Sequence, residues 1–263
     1  GEEEIGSPNL KPFLEAHRDE LACDLVAISD TGMVGAGIGT FTYGLRGIAC
    51  MEVKVHGPTI DLHSGIFGGA VANPVTMAAR LVASLHDDAG RVQIPGFYDG
   101  VHDLQEWERT AWASLGDGAA ETLSLTGAPA LFHEAGYTER ECRWARPTAE
   151  VNGIGGGYQG EGSKTVIARE AFFKLSFRLV PDQNPERILD LASAYLRDRA
   201  NPAVRLEIKR GHTGSAYLVD PHSSHGQAAQ RALKATFGGQ VALIREGGSI
   251  PIVQAFKDVL NAD

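Results

Sequence analysis

The sequence predicts an α+β fold built around a strand–helix–strand–strand–helix–strand unit that an irregular insertion interrupts. Three observations carry this prediction. A valine-containing run, Met51–Val55, leads through a glycine-flanked connection, Asp61–Gly69, into an apolar helical run from Val71 to Leu85. After Lys164 the apolar period changes to two, in Thr165–Ala168 and again in Phe172–Val180. Pro185 and Glu186 then open a helix to about Arg199, and Ala203–Lys209 alternates with Val204, Leu206 and Ile208 facing one way.

Taken in order, Ser7-Pro8 is a serviceable helix start, with Leu10, Phe13, Leu14 and Leu21 carrying helical spacing to Ala22. Asp24–Asp30 reads as a short buried strand ending in a carboxylate, where α/β sheets place ligands; a turn before Gly32 is the alternative. Phe41–Tyr43 and Gly47–His56 follow as strands, with Gly44 and Gly47 marking the crossing into a second domain. Ala70–Leu85 is an amphipathic helix, and Asp87–Gly100 is loop. Leu104–Leu115 and Tyr137–Trp144 are helices whose Trp107, Trp112 and Trp144 belong to a core. A last helix spans about Ser224–Phe237, a strand Val241–Ile244, and an apolar helical run Ile252–Leu260. With the insertion set aside, the middle has the βαββαβ order of a ferredoxin-like sandwich.

Composition limits the possible functions. The length, 263 residues, fits one large domain or two small ones, and 43% hydrophobic residues supply a substantial core. A net charge of −9 without a basic stripe argues against nucleic acid as a partner. No apolar run approaches bilayer length, so no membrane partner is expected. The 3 scattered cysteines fit a reducing compartment, so a soluble cytoplasmic protein is expected. The chain opens on Gly1-Glu2-Glu3-Glu4 without a methionine, as a trimmed chain or an internal segment of a longer enzyme would.

Several residues can carry chemistry. His63 sits on the glycine-flanked connection between a strand and a helix, where a side chain projects from a rigid base; a surface or N-cap-region histidine beside Ser64 is the alternative. Among the three glutamates, adjacent side chains diverge, so one can bind a metal while its neighbour faces a bound water; a solvated acidic helix end is the alternative. Arg178 on an apolar strand needs a partner, either a bound carboxylate held through two hydrogen bonds or an internal salt bridge. His212 and Ser249 border glycines, and simple turn chemistry is the alternative for both. The glycine-dense Val151–Gly162 is neither a Walker loop, since Ser163 separates Gly162 from Lys164, nor a dinucleotide fingerprint, since Tyr158 takes the sixth place from Gly153. Its glycines bring backbone close to a neighbouring chain or to substrate.

Gly1–Ser7, Ile28–Asp30, Tyr43–Gly47, Asp61–Gly65, Lys164–Ala168, Arg178–Pro181 and Arg245–Pro251 occur together and in order. This series resembles the M20 family of metallopeptidases, most closely its cytosolic dipeptidase, carnosinase-like branch. The resemblance implies a ferredoxin-like lid, or dimerisation, domain at about residues 42–241. The flanks 1–41 and 242–263 would be parts of an α/β zinc-hydrolase catalytic domain. It implies Glu3 as the general base for a metal-bridging water, Glu4 as a zinc ligand and Asp30 as the ligand of the other metal. It implies His63 as the histidine that reaches the partner subunit's site and steadies the scissile carbonyl, with Thr165 in the same composite site. Arg178, His212 and Ser249 would hold the substrate's C-terminal carboxylate. The implied enzyme is a di-zinc homodimer (two Zn2+ per active site) that hydrolyses dipeptides or similar small amides.

The sequence departs from that pattern. The family's upstream His-x-Asp segment, the bridging Asp and a late histidine are not in this sequence, so Glu4 and Asp30 alone make a poor zinc site. Gly32 stands where close relatives carry an aromatic. Two alternatives remain: a non-catalytic dimerising and substrate-clamping module, and an N-acyl amino acid deacylase.

Overall fold

The computed structural model describes residues 7–30 and 32–262. The first helix is α1 (Leu10–Ala16), followed by strands β1 (Thr40–Leu45) and β2 (Gly47–His56). Short β3 (Leu62–His63) runs directly into α2 (Ser64–Phe67), and α3 (Pro74–Ala83) follows. The Asn73 side chain accepts from Val75 N–H at 2.9 Å and Pro74 takes the first helical position, so α3 starts there and not at Ala70. The insertion supplies α4 (Glu106–Ala113), α5 (Gly118–Thr126) and α6 (Glu139–Ala145). Reciprocal capping boxes, Gln105 with Glu108 and Thr138 with Glu141, start α4 and α6. The helix α5, which the apolar spacing does not reveal, is capped by Asp117 and stopped by Gly127 in the left-handed region. Then come β4 (Thr148–Gly156), β5 (Val166–Ile167), β6 (Glu170–Leu179), α7 (Pro185–Arg199), β7 (Arg205–Gly214) and β8 (Tyr217–Leu218). The last elements are α8 (Ser224–Phe237), β9 (Ala242–Glu246) and α9 (Pro251–Leu260).

The architecture is mixed α+β. Four antiparallel strands lie side by side in the order β4-β6-β2-β7. The helices α3 and α7 pack on one face of this sheet. Val53, Phe173, Leu175 and Phe177 from the sheet meet Leu81, Leu189 and Leu196 from the helices in the main core. Each such side chain contributes about 1.5–3 kcal/mol by leaving water. A second sheet has the order β8-β1-β9, with β1 and β9 parallel. Tyr43 of β1 and Leu243 of β9 pack there with Trp112, Ala145, Trp107 and Trp144, so the tryptophans of the insertion are core residues as expected. Leu14 of α1 packs on Ala255 and Val259 of α9.

Three expectations need correction. The second strand of the four-stranded unit is not Thr165–Ala168 but the glycine-dense β4. Its glycines bring backbone close to the neighbouring strand of the same chain. A Cβ on Gly155 would lie 2.8 Å from the Phe172 ring, and one on Gly156, at φ +142, 2.8 Å from Ala171 Cβ. Asp24–Asp30 is not a buried strand: it has no ladder among the described residues, and Leu25 and Ile28 are exposed. An apolar run becomes a strand only where another edge takes up its backbone groups. The first helix ends at Ala16 and not Ala22, because Asp19 and Glu20 would put negative charge at a helix C-terminus.

Candidate functional site

His63 ends β3, which pairs with β5 so that Leu62 faces Ile167 and His63 faces Val166. This ladder is continued by Ser64 N–H to Thr165 O at 3.1 Å. It brings His63 and Thr165 together, with Nε2 3.1 Å from Thr165 Oγ1. His63 Nδ1 accepts the Gly65 N–H at 3.1 Å while capping α2. An acceptor at Nδ1 puts the proton of the neutral ring on Nε2, the atom turned toward Thr165. The exposed imidazole therefore donates its N–H to Thr165 Oγ1, and an incoming oxyanion can take the place of that hydroxyl as acceptor.

Arg178 lies near the far end of β6, opposite Ile48 of β2 and Thr148 of β4. Its Nη1 donates to Ser249 Oγ at 2.9 Å, so the structure joins two of the expected carboxylate contacts. The remaining guanidinium N–H groups suffice for a two-pronged bond to a carboxylate.

His212 reaches the same sheet face through a bulge. Met51 pairs with Arg210 and Ala49 with Thr213, so Gly211 and His212 together oppose Cys50. Arg210 and Thr213 both turn to the helix side, where they bond Glu186 at 3.0 and 3.2 Å. Strict alternation would have put His212 on that side too; the extra residue turns it to the open face. There its Nε2 lies 3.6 Å from Cys50 Sγ. Gly211 is needed at this point, since a Cβ would sit 3.0 Å from Cys50 Cβ. Burial raises the Cys50 thiol pKa, with Arg178 pulling the other way.

Sequence reasoning overlooked Arg46, the single residue between β1 and β2. Its Nε donates to Gly247 O at 3.2 Å and its Nη1 to Arg146 O at 3.3 Å. Burial, and next the charge of Arg178, push this guanidinium down to about 10. The signal was present: an arginine in an apolar strand run needs a partner, the argument already applied to Arg178.

Asp30 is exposed, whereas Glu3 and Glu4 lie outside the described residues. Among the described residues, no three His, Cys, Asp or Glu side chains are grouped to hold a metal ion. A cavity of about 870 Å³ lined by Ile38, Leu115, Phe237 and neighbours holds none of the candidate residues.

The two clusters sit at opposite ends of the four-stranded sheet. Arg178 pairs with Ile48, and Glu170, eight positions earlier, pairs with His56. His63 and Thr165 lie beyond that end, since β5 precedes β6 and Gly57 N–H bonds Arg169 O at 2.8 Å. Eight strand residues span about 27 Å, several times the length of a dipeptide.

A profile of the M20 peptidase dimerisation domain matches residues 43–204, more than half of the chain. The chain belongs to this family. Among similar proteins, the Cys-Gly metallodipeptidase DUG1 of Saccharomyces cerevisiae is 33% identical over 99% of this chain and 55% of its own length. The human Beta-Ala-His dipeptidase is 28% identical over 99% of this chain and 52% of its own length. The M20 dimerisation-domain chain thus spans about half the length of the curated relatives it matches. Solved structures agree in fold. An M20 family metallo-carboxypeptidase from Sulfolobus solfataricus superposes with TM-score 0.86 at 31% identity, covering 99% of this chain and 59% of its own. Human carnosine dipeptidase 1 gives TM-score 0.83 at 28% identity, covering 99% and 56%.

Proposed function

We propose that this chain supplies the dimerising and substrate-clamping part of an M20 metallodipeptidase. Its substrate is a dipeptide or similar small amide with a free C-terminal carboxylate. In this reading the four-stranded sheet with α3 and α7 is a ferredoxin-like lid within residues 42–241. The order β4-β6-β2-β7 supports it, because the unit's second, third, first and fourth strands lie side by side. The flanks 1–41 and 242–263 belong to the catalytic domain. The three free thiols fit a reducing compartment, and we place the protein in the cytoplasm.

One observation carries the reading: His63 with Thr165 and the clamp of Arg178, Ser249 and His212 lie toward opposite ends of the four-stranded sheet, whose strand from Glu170 to Arg178 alone spans about 27 Å. No dipeptide touches both within a single chain. In a C2 homodimer each chain's His63 serves its partner's clamp, completing two equivalent sites. Arg178 and Ser249 fix the carboxylate end, and Nε2–H of the partner's copy of His63 meets the carbonyl oxygen as it gains charge.

The family implies zinc, but the donor set described here does not fit it. Among the described residues the exposed Asp30 belongs to no group of three His, Cys, Asp or Glu side chains, whereas zinc takes four donors. The chemistry assigned to this chain is accordingly clamping and oxyanion stabilisation, with Glu3 as the proposed base. The dipeptidase names of the relatives support a dipeptide over an N-acyl amino acid.

The test is calorimetric binding to the dimeric chain of a dipeptide panel, the same peptides amidated at the C-terminus, and N-acyl amino acids; the isolated chain, short of zinc ligands, is expected to bind without hydrolysing. Tightest binding of the free dipeptides is expected. Equal binding of the amides, or preference for N-acyl amino acids, overturns the reading.

A further inference from the structure

We propose that Arg46 is a positioning residue for carboxylate recognition: it clasps the Gly247 carbonyl and so fixes the loop that presents Ser249 to Arg178. The inference rests on reading Arg178 and Ser249 as the carboxylate clamp.

Arg46 stands where the chain passes from one sheet to the other, and its bonds reach two segments. Its backbone N–H donates to Glu246 O at 3.2 Å and its Nε to Gly247 O at 3.2 Å, which anchors the end of β9. Its Nη1 donates to Arg146 O at 3.3 Å and Cys142 O at 3.5 Å. These are carbonyls at the C-terminal end of α6, where a cation is favoured. The loop backbone lies directly against the guanidinium: a Cβ on Gly247 would be 2.9 Å from Arg46 Nη2 and 2.8 Å from Arg143 O. Ser249 follows two residues later, about 7 Å of chain, so a shift at Gly247 carries over to the hydroxyl that meets Arg178.

The charge pattern points the same way. Among the described residues, neither Arg46 nor Arg178 has a carboxylate at ion-pairing distance, and the acidic neighbour felt by Arg46 is the exposed Glu150. Two like charges are held near one another, with a hydroxyl between the loop and the strand. A ligand carboxylate relieves that repulsion; the corresponding amide does not. Lysine cannot replace this arrangement, because a point charge on one stem does not span carbonyls of separate segments as a planar fork does.

The experiment titrates the ¹⁵N-labelled full chain with glycylglycine and with glycylglycinamide, in wild type, R46K and R178A. Wild type is expected to prefer the carboxylate at least tenfold, and R178A to lose that preference. R46K, with a native-like amide spectrum, is expected to lose at least fivefold of it while amide affinity stays unchanged. A merely structural role would weaken both ligands alike. Should R46K not fold, Gly247→Ala, whose methyl displaces the guanidinium, is expected to show the same selective loss. Full carboxylate preference in R46K, or in Gly247→Ala, overturns the proposal. A preference that survives in R178A overturns the clamp reading itself, and this inference with it.

Discussion

Gly65→Ala tests the assignment of His63 as a neutral Nε2–H donor. In wild type the Gly65 N–H is donated to His63 Nδ1 at 3.1 Å. An alanine Cβ at that position would lie 3.0 Å from His63 Cε1 and 3.2 Å from Nδ1, closer than ordinary contact. The exposed imidazole yields by rotating, and the hydrogen bond that fixes Nδ1 as an acceptor is lost. A hydrogen bond of this kind contributes about 0.5–1.5 kcal/mol net. At about 1 kcal/mol the preference for the Nε2–H tautomer falls roughly fivefold, while global stability changes little because both groups are exposed. Long-range ¹H–¹⁵N spectra of the imidazole read the tautomer directly. Wild type should show an unprotonated Nδ1 and a protonated Nε2, and Gly65→Ala a mixture. A wild-type ring protonated at Nδ1 would refute the reasoning, since the Gly65 N–H would then have no acceptor there.

Other predictions concern the clamp and the core. Ser249→Ala removes the acceptor of the 2.9 Å bond from Arg178 and should weaken dipeptide binding about 3- to 10-fold, measured by calorimetry. Phe173→Ala, fully buried between the sheet and its helices, should cost about 3–5 kcal/mol in urea unfolding. Burial pushes the Cys142 thiol up to about 11 from its ordinary 9.0. The unfolded chain therefore loses that proton first, so stability present below pH 9 is lost as pH rises toward 11. Comparing urea midpoints of wild type and Cys142→Ala across that window should show a steeper decline in wild type.

Much of the fold was legible because periodicity marks buried faces. The alternation of Ala203–Lys209 and of Phe172–Val180 is the inward face of β7 and β6, and Pro185 opens α7 as expected. The glycine-dense β4 was misread, because glycine is a poor strand former on propensity alone. What selects it here is the ring of Phe172 on the adjacent strand, which lies far along the sequence. Asp24–Asp30 failed for the opposite reason, being apolar enough for a strand but without an edge to join among the described residues. At the site, neighbouring glycines singled out His63, His212 and Ser249 as candidates, and the roles proposed for them come from the family resemblance. The outward turn of His212 depends on a bulge that only the pairing with β2 reveals. Arg46 needed the meeting of β9 and α6 at the junction of the two sheets.

The most direct test of the composite site is cross-linking between copies. Cys23 and Cys50 are replaced by serine; one copy then carries Thr165→Cys and the other Ser249→Cys. The mixture is treated, with dipeptide present, with a bismaleimide much shorter than the roughly 27 Å of strand between the two ends of the sheet within a chain. The account predicts a covalent dimer in the mixture and only monomer from either variant alone. No covalent dimer in the mixture, or an internal cross-link when one chain carries both cysteines, would contradict it.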